Sequence, residues 1–144
     1  MADFSLQLII FNLVLSWGLL ALIWLVQVII YPGFHQIPSG SFIDYHRWYV
    51  KRISIIVLPL MISELTMTAW WLFDAGSSVS VISAGLVLIV WLSTFLLQVP
   101  IHHRLKFGKE ENLIRRLVAT NWVRTIAWSL KALLITLAFV VWIF

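Results

Sequence analysis

The chain is predicted to be an all-α integral membrane protein: an antiparallel four-helix bundle with one interfacial amphipathic helix leading into the second span. Three observations predict it. Hydrophobic residues make up 62% of the 144 residues and charged residues 11%, against about 25% charged in a soluble domain. The apolar residues gather into four runs, at about 6–30, 53–73, 79–99 and 121–144, each close to the roughly 20 residues that cross a hydrocarbon core. Lys and Arg concentrate between the runs, three in the first long connection and five in the second.

The length leaves room for one domain, 1–144, and no separate soluble one. The absence of Cys excludes disulfides, thiolate metal sites and a Cys nucleophile. The net charge of +4 is loop charge, which reads as topology rather than as a nucleic-acid footprint. No Lys or Arg precedes the first run, so a retained span is expected there rather than a cleaved signal.

Span 1, 6–30, carries Asn12, Ser16 and Gln27. At 100° per residue these form one polar stripe, which should face the other helices. Tyr31-Pro32-Gly33 is expected to end the span, since proline disfavours helix at the residue before it. Ser41 with Asp44 three residues on is a capping-box variant, predicting a helix from Phe42 to Arg52. Its Tyr45, His46, Arg47, Trp48, Tyr49, Lys51 and Arg52 mix aromatic and basic side chains, the composition of a membrane interface. It should run into span 2, 53–73, with little or no break. Pro59 predicts a kink within that span.

Glu64 lies mid-span, where a carboxylate costs roughly 2.5 kcal/mol or more. Lys131 is the other charge at such depth. Asp74-Ala-Gly-Ser-Ser is a short turn, so spans 2 and 3 are expected to be antiparallel neighbours. Span 3, 79–99, puts Trp91, Thr94 and Gln98 on one face, and Pro100 is expected to stop it. In span 4, Asn121, Arg124, Trp128 and Lys131 follow at spacings of three, four and three, a continuous inward stripe. No fixed-period repeat or low-complexity tract is visible.

Three constellations bear on chemistry. Glu64 and Lys131 can form a buried pair that sets helix register, or the floor of a proton-handling site. His35, His46, His102 and His103 are candidate metal or haem ligands at the mouth, with Asp44 or Glu64 as a carboxylate. None of them shows the i, i+4 metal spacing, and His102 and His103 should point apart. The basic residues Arg47, Lys51, Arg52, Arg104, Arg115, Arg116 and Arg124 suit anionic lipid heads or an anion grip on a substrate. No phosphate-binding loop, nucleophile elbow or zinc-protease motif is present.

Tyr31-Pro-Gly-Phe, Phe42-Ile-Asp-Tyr-His-Arg, Arg52-Ile, Pro59-Leu-Met-Ile-Ser-Glu, Gln98-Val-Pro-Ile-His and Thr120-Asn-Trp-Val-Arg-Thr125 together resemble a group of small bacterial four-span membrane proteins. The size, the span number and Asn121-x-x-Arg124-Thr125 are similar to the anthrone-oxygenase-like membrane family. That resemblance implies a membrane-bound oxygenase or related protein acting on flat aromatic compounds; it implies no particular catalytic residue.

The expected function is therefore a cytoplasm-facing site inside the bundle for a small hydrophobic molecule. Glu64, Lys131 and His46 are the candidate catalytic groups, and Gln98, Asn121, Arg124 and Trp128 the candidate ligand contacts. An oxidoreductase is the leading enzyme class, and the cofactor is left open. The alternatives are a non-catalytic membrane subunit whose polar stripes only pack helices, and a proton-coupled transporter built from an oligomer. Expected partners are the lipid bilayer, a small hydrophobic substrate, and other copies or other membrane proteins.

The positive-inside rule places both long loops in the cytoplasm and both termini outside the inner membrane. Reporter fusions at Phe107 and at the C-terminal end should report cytoplasmic and external locations respectively. A cytoplasmic C-terminal reporter would overturn both the orientation and the span count.

Overall fold

The computed structural model describes the backbone over residues 2–143 and side chains over 6–141. Among the described residues there is no strand, and the chain forms four long helical rods. Rod α1 is Ala2–Leu25, continued through a π-helical turn Val26–Ile30, a turn Tyr31–Gly33 and a 3-10 turn Phe34–Gln36. Rod α2 is Ser39–Ala75. Rod α3 is Ser78–Ser93, continued through a π-helical turn Thr94–Gln98 and the helix Val99–Leu105. Rod α4 is Glu111–Ile143. Each is long and apolar enough to cross a membrane.

Sequential rods pack on one another, and α4 closes the ring on α1. The four therefore stand at the corners of a square, with α2 and α4 on one diagonal and α1 and α3 on the other. Leu19, Ile23, Met61, Val90, Leu117 and Trp128 fill the middle. Phe11, Val14, Ile56, Phe95, Leu96 and Leu137 point outward. An apolar exterior around a core with polar groups is the pattern a lipid-facing bundle requires.

Two expected helix ends are not ends. Pro32 and Pro100 lie within the rods, not at their termini. A proline lacks the N–H of an α-helical bond, and its ring collides with the carbonyl four residues back. In both rods a π-helical turn stands just before the proline. The Tyr31 N–H reaches back to Val26 O, and the Val99 N–H to Thr94 O, five residues each. The wider turn moves the preceding carbonyls off the ring, so the rod continues. Rod α2 likewise runs on through Pro59.

The start of α2 also differs from expectation. It begins at Ser39, after Pro38 in extended conformation, with no side-chain cap. Proline fixes a φ that suits the residue just before a helix, so Ser41 is not needed as a cap. The Ser41 hydroxyl instead donates to Pro38 O at 3.3 Å, and Asp44 faces Arg47 at 3.7 Å. The residues 42–52 are helical and continuous with the rest of α2, as expected. Between α2 and α3, Gly76 takes φ 55° and bonds back to Leu72 O. That left-handed position favours glycine. Ser77 caps α3 by accepting from the Ser80 N–H at 3.2 Å.

The polar stripe of α1 does face inward. Asn12 donates to Met67 O at 3.3 Å and accepts from the Thr68 hydroxyl at 2.9 Å, joining α1 to α2. Gln27 joins α1 to α4: its Oε1 accepts from Asn121 Nδ2 at 2.8 Å and from the Thr125 hydroxyl at 3.2 Å, while its Nε2 donates to Val118 O at 3.1 Å. Interhelical bonds of this type contribute about 0.6 kcal/mol on average in membranes. Removing an acceptor that serves two buried donors costs more, because the donors are left unpaired.

Gln27→Leu should lower the unfolding temperature in detergent by an amount equivalent to about 1–2 kcal/mol. Circular dichroism against temperature measures it. Adding Asn121→Leu should cost less than that substitution does alone, since its main partner is already gone. Strictly additive losses would show that the two side chains do not depend on each other.

Candidate functional site

The charges at mid-span meet. Lys131 Nζ donates to Glu64 Oε1 at 2.9 Å and to the Ser16 hydroxyl at 3.2 Å. Trp128 Nε1 donates to Glu64 Oε2 at 2.9 Å. Glu64, Lys131, Ser16 and Trp128 are all fully buried. Both carboxylate oxygens are thus committed, one to a cation and one to an indole. The pair spans the α2–α4 diagonal, which only long side chains can bridge.

A cavity of about 650 Å³ lies nearer the end of the bundle that bears both long connections. Apolar walls come from Val26, Val50, Ile53, Val57 and Met61. Its polar groups come from all four rods: Tyr31 on α1, His46 and Tyr49 on α2, Gln98 and His102 on α3, and Arg124 on α4. Arg47, His103 and Lys106 stand at its rim. The size falls within the roughly 300–1,000 Å³ of small-molecule sites.

The two π-helical turns help to build this site. Tyr31 follows the turn in α1, and Gln98 closes the turn in α3. Such turns add a residue and re-aim the side chains after them, and they are frequent at functional sites. Tyr31 OH and His102 Nε2 are hydrogen-bonded at 3.1 Å across the α1–α3 diagonal. His102 Nδ1 and His46 Nε2 are hydrogen-bonded at 2.9 Å. The result is a Tyr31–His102–His46 chain. Phe42 stacks on the His46 ring, and Phe34 meets it edge-on, which fixes the imidazole. The Tyr49 hydroxyl and the Arg124 guanidinium lie beside the Tyr31 hydroxyl.

Three buried polar atoms on cavity residues have no protein partner: His46 Nδ1, Gln98 Oε1 and Arg124 Nε. Buried polar atoms are bonded in the large majority of cases. Four further unpartnered atoms, on Ser83, Trp91, Ser93 and Asn121, belong to residues that do not line the cavity. Arg124 is only 6% exposed and has no carboxylate partner among the described residues. Its guanidinium lies 5.2 Å from the Trp128 ring centre, a cation–π contact.

The expected site residues divide into three groups. His46, His102, His103, Gln98 and Arg124 line the cavity. Glu64 and Lys131, expected as its floor, and Trp128, expected as a ligand contact, are not among its lining residues; Met61, one turn before Glu64, is. Seven residues separate Arg124 from Lys131, about 10 Å along a helix. The third group is taken up in packing. Asn121 turns away to Gln27, and His35 pairs with Glu111.

Lys109 fastens the same end, reaching His35 O at 2.8 Å, Ile37 O at 3.0 Å and Glu111 at 2.9 Å. Among the basic loop residues, Arg104 pairs with Glu110 and Arg115 with Asn112. Among the described residues no three His, Asp or Glu side chains gather as a metal site. The facing nitrogens of His46 and His102 bond to each other in this arrangement.

Tyr31 and Tyr49 belong to the site but were not among the expected residues. Tyr49 had a visible signal: with Phe42 and His46 it forms an i, i+4, i+7 stripe on α2. Tyr31 had none, because its position depends on the π-helical turn.

The chain matches no protein-family profile, no curated protein and no solved structure in the comparisons made.

The pair's energetics are testable directly. Glu64→Gln and Lys131→Met should each lower stability in detergent, on the scale of the roughly 3–5 kcal/mol lost when one member of a buried pair is removed. The double variant should recover part of that loss in the same thermal measurement. Additive losses would mean that the two charges do not sustain each other.

Proposed function

We propose that this is an integral membrane protein, an antiparallel four-helix bundle whose cavity binds a small hydrophobic molecule through a polar head. The supporting contacts run in opposite directions along paired rods. Trp17 bonds to Thr136, Trp24 to Ser129 and Gln27 to Asn121. The basic end of the bundle faces the cytoplasm in this reading, because the loop Lys and Arg cluster there. The first turns of α2 lie at the head groups with Tyr45, Trp48, Lys51 and Arg52 toward them.

One observation carries the ligand reading. A buried arginine with an unpartnered Nε faces an apolar-walled cavity, beside a hydrogen-bonded Tyr–His–His chain. A bundle that only packs helices has no need of a cavity at its one unpaired buried cation among the described residues. The apolar walls take the ligand body, and the Arg124 end takes an oxygen-bearing head.

The chain of rings suits proton transfer. In one arrangement Tyr31 O–H donates to His102 Nε2, His102 Nδ1–H donates to His46 Nε2, and His46 Nδ1 carries a proton. In the other, His46 Nε2–H donates to His102 Nδ1, and His102 Nε2–H donates to the Tyr31 oxygen. Going from the first to the second, one proton enters at Tyr31 and one leaves at His46 Nδ1, so the count balances. Imidazole suits this shuttling because it holds a proton on either nitrogen. Moving a proton to or from an oxygen held by Arg124 is a step that an oxidoreductase acting on a flat aromatic compound needs.

Filling the cavity tests the proposal. The double variant Ile53→Trp/Val57→Trp places two indoles on the wall, while Ile56→Trp puts one on the outer face. Solvent extracts of purified protein, analysed by mass spectrometry, should show a hydrophobic compound with wild type and Ile56→Trp. The cavity-filling variant should lose it while keeping its helical circular dichroism. The same profile from all three proteins would sink the reading in favour of a packing-only bundle.

A further inference from the structure

We infer that the ligand's head is an anion, a carboxylate carried on an apolar body and seated on Arg124. This rests on the reading of the cavity as a ligand site and names the chemical class that fits it.

The charge around the cavity is of one sign. Arg47, Lys106 and Arg124 line it, with three His, and no Asp or Glu does. The acidic groups at this end of the bundle are engaged elsewhere: Glu110 with Arg104, and Glu111 with Lys109 and His35. Asp44 approaches Arg47 at 3.7 Å on the exposed surface, which partly offsets the rim. Glu64 is held by Lys131 and Trp128 and cannot turn toward Arg124. The deep positive charge is therefore uncompensated by any carboxylate of the described chain.

An isolated charge held out of water is costly, and a cation–π contact supplies only part of what is lost. A bound anion would supply the rest. The stoichiometry selects a monoanion, since one buried cation balances one negative charge. The geometry selects a carboxylate. A guanidinium presents planar, paired N–H donors that match two carboxylate oxygens, and Arg124 Nε has no hydrogen-bond partner within the chain. The hydroxyls of Tyr31 and Tyr49 stand beside the same guanidinium. Trp128 cannot turn its N–H toward the head, because Glu64 holds it; it offers the ring face that fixes the guanidinium plane. Arg47 and Lys106 at the rim attract the anion on its way in.

Matched acids and esters test this on the full chain in an uncharged detergent. Decanoate and 2-naphthoate represent an alkyl and a flat aromatic body; their methyl esters remove the charge and little else. Calorimetry on wild type should show each acid binding at least about tenfold more tightly than its ester, the scale of a charge-assisted hydrogen bond. The acid that binds more tightly identifies the body. Arg124→Gln should abolish the preference of acid over ester, and Arg47→Gln should alter it by less than about threefold, as a screened rim charge.

Acids and esters binding wild type equally would overturn the anion and leave the cavity reading intact. Failure of all four compounds on wild type would overturn both. A preference that survives Arg124→Gln would move the anion off this residue and overturn the inference. The wild-type comparison needs no variant to fold.

Discussion

Lys131 sits fully buried beside Glu64 in the middle of an apolar bundle, and much of the architecture follows from keeping that charge paired. Neither residue is tolerable alone at such depth, so α2 and α4 must hold the register in which their side chains meet. They stand on a diagonal of the square, which sets the distance that two extended side chains must cover. Ser16 then brings α1 to the same ammonium, and Trp128 occupies the second carboxylate oxygen. A buried pair of this kind is weak evidence for net stability, but it does discriminate between registers. A slip of one turn would move either charge by 5.4 Å and strand both.

The same contacts reach the cavity through Trp128. Its N–H is anchored on Glu64, and its ring carries Arg124 on the next turn. The guanidinium is thereby held in place by an ion pair that is sealed from the cavity. This separates two roles that the spacing of span 4 had merged into one stripe. Arg124 faces the open space, Trp128 and Lys131 support it from below, and Asn121 locks α4 to α1. All four lie on one helix face, yet the face spans three different environments along its length.

The architecture was legible where it depends on composition and period. Apolar run length located four rods, and 100° spacing oriented the stripes of α1 and α4 correctly. The pairing of Glu64 with Lys131 was legible because two lone charges within long apolar runs have few other ways to be satisfied. The site was only partly legible. Pro32 and Pro100 read as helix stops, since nothing in the residues announces that a π-helical turn will absorb each one. That misreading hid Tyr31. The motif Asn121-x-x-Arg124-Thr125 illustrates the same limit, because two of its three residues serve Gln27 and one faces the cavity. Spacing alone does not tell a packing contact from a binding one when both lie on an inward face.

The two halves of the chain reuse one plan, which no residue-by-residue likeness had revealed. In each, a π-helical turn is followed two residues later by proline: Ile30 to Pro32 and Gln98 to Pro100. A loop and a long helix come next, and that helix carries a buried charge. Pro32 to Glu64 is 32 residues and Pro100 to Lys131 is 31, by position number. The two charges thus lie at similar distances from the prolines, though Glu64 is residue 26 of α2 and Lys131 residue 21 of α4. The sequences diverge where the chemistry lies, with Tyr31 in the first half opposite Val99 in the second, and Phe34 opposite His102. Tyr31 and His102, which are not counterparts, bond across the α1–α3 diagonal at 3.1 Å. The two halves furnish the cavity with different polar side chains, Tyr31, His46 and Tyr49 from the first and Gln98, His102 and Arg124 from the second.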